Sequence, residues 1–188
     1  MKKVLLLGGN YFQMTATLAA KKLGYYVISV DYLPDNPAHK YADEYHNIST
    51  IDKEAVLKLA QEKKIDGIVS YASDVSAPTA AYVAEKMGLP TNPYDAVMTL
   101  THKDLFRQFM KKHGLRMPKG DSFVEKEGAL SFFRRLRKPV MVKPIDSSGS
   151  KGVNKVYTEE EFDAAYEEAL SYSCLLYTSD AADDLIGV

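Results

Sequence analysis

Apolar and polar positions in the first ninety residues follow two alternating rhythms. Short runs rich in apolar residues predict strands at Lys3 to Leu7, Tyr26 to Val30, Tyr45 to Ile48 and Ile65 to Ser70. Between them, Phe12 to Leu23, Lys53 to Lys63 and Ala77 to Met87 carry helical spacing. Local punctuation agrees. Gly24 and Gly88 stand where helices end, Asp52 stands where one begins, and Pro78 falls in a first turn. Strand and helix in alternation predict an α/β domain, with a parallel sheet covered by helices on both faces.

The texture changes at Leu89-Pro-Thr-Asn-Pro93. Two helices are predicted at Tyr94 to Leu100 and Lys103 to His113, with Thr101 as the cap between them. Gly114-Leu-Arg-Met-Pro118 reads as a linker. A second pattern follows: strand Asp121 to Val124, helix Lys126 to Leu136, strand Val140 to Val142, strand Val153 to Tyr157 and helix Glu159 to Leu170. Thr158-Glu-Glu-Glu161 is a capping box. The predicted organisation is a doubly wound domain over 1–90, a helical linker over 91–118 and an α+β subdomain over 119–173, in which about three strands leave a sheet edge without a partner.

Composition narrows the function classes. Twenty-four Lys and Arg against 25 Asp and Glu give a net charge of −1, without the basic excess of a general nucleic-acid binder. No apolar run approaches membrane-spanning length; Val4 to Leu7 ends at Gly8, too soon for a signal sequence. The single cysteine, Cys174, permits no internal disulfide, which fits a cytoplasmic location. No Cys/His cluster has zinc spacing.

The most informative stretch is Val140 to Val153. An apolar strand delivers Lys143 and ends at Pro144, and a loop of small polar residues follows. Ser147, Ser148 and Ser150 offer hydroxyls, Gly149 and Gly152 allow backbone N–H groups to approach an anion, and Lys143 and Lys151 supply charge. The loop exceeds what a plain hairpin needs. A lysine in an apolar strand is costly to bury unless it meets an anion. Together these features predict a phosphate-covering loop, although no Walker A pattern occurs. The turn Gly8-Gly9-Asn10 also precedes a helix, a position able to hold an anion or to serve as a plain βα turn. It lacks the third glycine of a dinucleotide fingerprint, although Asp31 ends the second strand where a ribose-binding acid would sit. Asp74 follows the fourth strand, as a ligand contact or a helix cap. Arg134-Arg-Leu-Arg-Lys138 reads as a solvated helix end.

These segments resemble the ATP-grasp superfamily. Val4-Leu-Leu-Leu-Gly-Gly9, Gly24 to Asp31, Tyr41-Ala-Asp-Glu44, Ile65-Asp-Gly-Ile68 and Glu85 to Pro90 are similar to its pre-ATP-grasp domain. Thr101-His-Lys-Asp104 with Gly114 to Pro118 resembles the entry to its ATP domain, and Pro139 to Pro144 with Ser147 to Val153 its lysine strand and glycine-rich loop. The resemblance implies a pre-ATP-grasp domain followed by an incomplete ATP-grasp subdomain. It implies ATP contacts from Lys103, Lys143 and Ser147 to Gly152 (Ser147, Ser148, Gly149, Ser150, Lys151, Gly152). It implies that Gly8, Gly9 and Asn10 face an acceptor substrate; Asp74, by its place after the fourth strand, is a further candidate contact. It also implies a ligase that phosphorylates a carboxylate with ATP and Mg²⁺ before a nucleophile, such as an amine, displaces phosphate. The partners are then small molecules, not nucleic acid or membrane, and a homodimer of the full-length enzyme. No catalytic residue is assigned.

The hinge strand, substrate arginine and Mg²⁺ ligands of that family have no counterpart in this sequence, so activity of this chain alone is not expected. Cys174-Leu-Leu-Tyr-Thr-Ser-Asp-Ala-Ala-Asp183 can be encoded as tgt ctc tta tac aca tct gac gct gcc gac, a string similar to a transposon-end sequencing adapter. Residues 174–188 are therefore expected to be foreign to the natural protein, and Cys174 is then no evidence about its compartment. Two rival classes are a non-catalytic nucleotide-binding or regulatory module and a nicotinamide-dependent oxidoreductase.

Overall fold

The computed structural model describes residues 1–136, 139–145, 147 and 149–172, together with the backbone of 176–180. The chain forms two compact units, Met1–Thr101 and His102–Val188.

The first unit runs β1 (Lys3–Leu7), α1 (Tyr11–Lys22), β2 (Tyr26–Asp31), β3 (Glu44–Asn47), α2 (Lys53–Lys63), β4 (Gly67–Ser70), α3 (Ala77–Lys86) and α4 (Tyr94–Thr101). Its sheet has the order β3-β2-β1-β4 with every pair parallel. Successive side chains of a strand point to opposite faces, and the core follows that rule. Leu5, Leu7, Ile28 and Val30 pack with Val56, Leu59, Ala60 and Val83 from α2 and α3. The intervening Leu6 and Val27 pack on the other face with Ala20 of α1. Both faces are thus covered, the doubly wound arrangement predicted from the apolar runs.

Local signals set the helix ends. Asn10 caps α1 by accepting from Phe12 N–H at 2.8 Å, and Asp52 caps α2 by accepting from Ala55 N–H at 3.1 Å. Thr101 does not cap α5. It ends α4, its hydroxyl turned back to the Val97 carbonyl at 2.9 Å, and His102 takes the cap position. A Thr hydroxyl within reach of a carbonyl one turn back is used there instead.

The outer strand β3 is held by charge. Glu44 accepts from Lys63 at 2.5 Å, His46 at 3.0 Å and Tyr26 at 2.8 Å. These bonds, that of Lys63 foremost, bring the Glu44 carboxyl down from 4.5 to about 2. A depressed carboxylate contributes stability above its unfolded value and loses it on protonation. The first unit is therefore expected to weaken as pH falls from 4.5 toward about 2. Glu44→Gln should flatten that dependence in acid-titrated unfolding curves; an unchanged profile would remove Glu44 as its source.

The second unit runs α5 (Lys103–Lys112), β5 (Gly120–Phe123), α6 (Lys126–Leu136), β6 (Val140–Pro144), β7 (Asn154–Val156), α7 (Glu159–Leu170) and β8 (Leu176–Asp180). The sheet order is β5-β8-β6-β7, all antiparallel. The three strands expected over 119–173 are present as β5, β6 and β7, and the sheet gains a fourth from outside that span. Leu176–Asp180 enters between β5 and β6, pairing Phe123 with Leu176 and Val142 with Thr178. Val140, Val142, Val156, Phe133, Phe162 and Ala169 form the core between sheet and helices. The capping box is formed: Thr158 accepts from Glu161 N–H at 3.3 Å, and Glu161 reaches back to Tyr157 N–H at 2.7 Å. Arg134 makes a two-pronged pair with Glu159, 2.9 Å from Nε to Oε1. Arg137 and Lys138 of the basic cluster lie outside the described residues.

Candidate nucleotide and acceptor sites

The candidate nucleotide site stands on β6. Val140, Val142 and Pro144 are buried, while Met141 and Lys143 are half-buried. Alternation puts Lys143 on the face opposite Val140 and Val142. Lys143 is thus not sunk in the apolar core, so the desolvation argument for an anion partner does not hold. Its place at the mouth of the loop remains.

Beyond Pro144 the backbone turns through left-handed conformations, with φ of +68° at Gly149, +57° at Ser150 and +66° at Gly152. Ser150 is a non-glycine residue held there, a conformation found preferentially at turns and ligand-binding segments. Ser150 and Lys151 are exposed and Ser147 is half-buried. Ser148 lies outside the described residues. Gly152 is buried, and a Cβ there would stand 2.8 Å from Tyr172 Cδ2 and 3.2 Å from Ala169 Cα. Gly152→Ala is expected to destabilise the second unit by about 2–4 kcal/mol, combining left-handed strain with overpacking. Chemical denaturation measures this, and an unchanged midpoint would overturn the packing account.

Lys103 lies far from the loop in sequence and meets it in space. Its Nζ donates to the Ser147 carbonyl at 2.7 Å and to the Ile145 carbonyl at 3.2 Å, while its N–H approaches Ile145 O at 3.4 Å. The fold thus brings Lys103 to the root of the segment that Lys143 precedes. Among the described residues, no group of three or more His, Cys, Asp or Glu is placed to hold a metal. The described residues do not by themselves make a Mg²⁺ site.

The candidate acceptor site lies at the carboxyl end of the parallel sheet, where open α/β sheets bind ligands. Since β1 and β4 are neighbours, the turn Gly8–Asn10 and the Asp74 loop emerge at the same edge. The glycines of that turn have internal duties. Gly8 N–H donates to Val30 O and Gly9 N–H to Asp31 Oδ2, both at 2.8 Å. Gly9 faces the His39 ring, and Gly8 adopts φ +94° against the Gln13 side chain. Asp31, buried, also accepts from Leu33 N–H at 3.0 Å and Asn36 Nδ2 at 2.9 Å. Its carboxylate is committed to this turn, which removes it as a ribose contact of a nicotinamide site. Exposed Asp74 accepts through its carbonyl from Ala77 N–H at 3.3 Å.

Sequence reasoning missed Gln13. It occupies the place of the absent third glycine and is buried, with Nε2 donating to Tyr71 O at 2.7 Å. The signal was present: a polar residue stands where helix and strand come closest.

Residues 102–181 match the family described as carbamoyl-phosphate synthase L chain, ATP binding domain. A relative from Chlorobium phaeobacteroides, a formate-dependent phosphoribosylglycinamide formyltransferase, is 31% identical over 92% of this chain and 43% of its own length. The chain belongs to the ATP-grasp superfamily. It spans about 43% of that relative's length. Among solved ATP-grasp structures, N5-carboxyaminoimidazole ribonucleotide synthetase from Thermotoga maritima superposes with TM-score 0.69 at 25% identity, over 96% of this chain and 46% of that one. The biotin carboxylase domain dimer of Hydrogenobacter thermophilus 2-oxoglutarate carboxylase, solved with MgADP, ADP and bicarbonate, gives 0.72 at 21% identity, over 95% and 44%.

Proposed function

We propose that this ATP-grasp chain is part of an ATP-dependent ligase that activates a carboxylate as an acyl phosphate for attack by an amine or another nucleophile. The observation that carries the reading is the Lys103 ammonium on the root of the 145–153 loop, bound to Ile145 O and Ser147 O. A cation and a strained, glycine-bearing loop at the end of a lysine strand suit a polyphosphate. In this reading Lys103, Lys143 and Lys151 offset phosphate charge, and Ser147 to Gly152 cover the β- and γ-phosphates. In the whole enzyme, Mg²⁺ would offset further charge on the same phosphates. The carboxylate oxygen forms the new bond to the γ-phosphorus as the bond to ADP breaks. The nucleophile then bonds to the acyl carbon and phosphate leaves. Gly8, Gly9, Asn10 and Asp74 border the acceptor, and the whole protein is a cytoplasmic homodimer. The foreign origin of residues 174–188 is part of the same proposal, tested by the source locus.

Calorimetric titration of the 188-residue chain with ATP tests the site. The expected result is binding that Lys143→Met weakens at least about tenfold, the worth of one charge-assisted contact. Equal affinity in the variant would overturn the assignment of Lys143. Steady ATP-dependent phosphate release by this chain would overturn its expected inactivity.

A further inference from the structure

The centre of the second sheet is a slot. β5 and β6 do not pair with each other; β8 stands between them and pairs with both. Gly120 to Phe123 of β5 lie opposite Ser179 to Leu176, and Val140 to Pro144 of β6 lie opposite Asp180 to Leu176. Among the described residues, β8 is the only strand that pairs with β5. Without it β5 stands alone, beside a β6–β7 hairpin with one open edge. Main-chain N–H and C=O groups on such edges demand partners and form a template for another strand. The floor of the slot is supplied by β6, β7, α6 and α7, where Val140, Val142 and Val156 pack with Phe133, Phe162 and Ala169.

The segment that fills the slot, Leu176–Asp180, belongs to the stretch whose sequence reads as foreign to the natural protein. A foreign stretch at the centre of a sheet needs a physical reason. Main-chain pairing supplies one, because it asks for an extended backbone without proline rather than for particular side chains.

We infer that the gap between β5 and β6 is a strand-acceptor site, which binds a proline-free extended segment antiparallel to both neighbours, with Leu176–Asp180 as one exchangeable occupant. The partner is a peptide backbone, delivered by this chain or in trans. The pairing sets its length at the five residues that lie opposite β6. Pro144 has no N–H to donate, so pairing fades at the Leu176 end. The inference is independent of the ligase reading, since it concerns the sheet and not the loop after β6.

Hydrogen exchange on the full chain tests it. Thr178 is mid-strand, opposite both Asp121 and Val142. Thr178→Pro removes an N–H from the middle of a central strand and is expected to eject it. Amide exchange over Gly120–Phe123 and Val140–Lys143 should then quicken by about tenfold or more. A synthetic peptide of residues 174–182 should restore the protection, and so should the unrelated peptide Thr-Val-Thr-Val-Thr. The 174–182 peptide carrying Thr178→Pro should not. The unaltered chain decides the matter if the variant does not fold: a fluorescent 174–182 peptide in excess is expected to be incorporated saturably, and excess unlabelled peptide to displace it. Unchanged exchange in the variant, restoration by the 174–182 peptide alone, restoration by the proline-bearing peptide, or no incorporation into the unaltered chain would each overturn the inference. ATP binding is read separately by calorimetry, so failure here is distinct from failure of the ligase reading.

Discussion

Alanine at position 9 is expected to cost the first unit about 3 kcal/mol, more than the usual penalty of one added methyl group, because overpacking is joined by lost hydrogen bonds. Its Cβ would stand 2.1 Å from His39 Cε1 and 2.5 Å from Nε2. The ring cannot simply swing aside. Nδ1 lies 2.8 Å from Ser29 Oγ, Nε2 lies 3.1 Å from Leu33 O, and the ring tilts on Tyr45 with centroids 4.1 Å apart. The Leu33 carbonyl requires a proton on Nε2, so Nδ1 accepts from the Ser29 hydroxyl. Moving the ring breaks both bonds and leaves buried Ser29 unpaired. Urea unfolding of the wild type, Gly9→Ala, His39→Ala and the double variant measures the coupling. The double variant should be less destabilised than the sum of the single changes. Additive losses would overturn the steric account and return Gly9 to the role of a ligand-approach residue.

That result bears on how the turn was read from sequence. Two adjacent glycines before a helix left two readings open, an anion cradle and a plain βα turn. In the structure their amides serve Val30 O and Asp31, and one of them is glycine because a histidine ring lies on it. His39 is thirty residues from Gly9, in a turn at Pro37–Tyr41 that no local periodicity announced. Local codes were legible at most helix ends, Thr101 being the exception, since it ends α4 while His102 caps α5. Lys3–Leu7, Lys53–Lys63, Lys126–Leu136 and Glu159–Leu170 begin and end where their flanking residues predict. Non-local pairing was not legible. Leu176–Asp180 has no strand signature beyond its composition, and its place between β5 and β6 depends on partners more than thirty residues away. Lys143 shows the intermediate case: the strand was evident, but which face the lysine took depended on the core of Val140 and Val142.

Lys103 carries the other large effect. Its family resemblance implied a phosphate contact, whereas the structure shows its ammonium on two loop carbonyls, at 2.7 and 3.2 Å. Both tasks suit one lysine, since carbonyls and phosphate oxygens are acceptors alike. Lys103→Met is therefore expected to act before any nucleotide is present. Charge-assisted bonds of this kind are worth about 1.5–3 kcal/mol each, and solvent at the half-buried site reduces the pair to about 2 kcal/mol. Amide exchange at Gly149 to Val153 should then quicken by about 10–30-fold in the nucleotide-free chain. Lys103→Arg keeps the charge but spreads it over a planar fork, and should restore part of the protection. ATP affinity should fall in Lys103→Met by more than in Lys143→Met, because loop placement and charge are lost together. If exchange is unchanged while ATP binding is lost, the lysine acts on phosphate alone. If exchange quickens and ATP binding persists, the lysine is an anchor of the loop and the phosphate contact implied by resemblance fails.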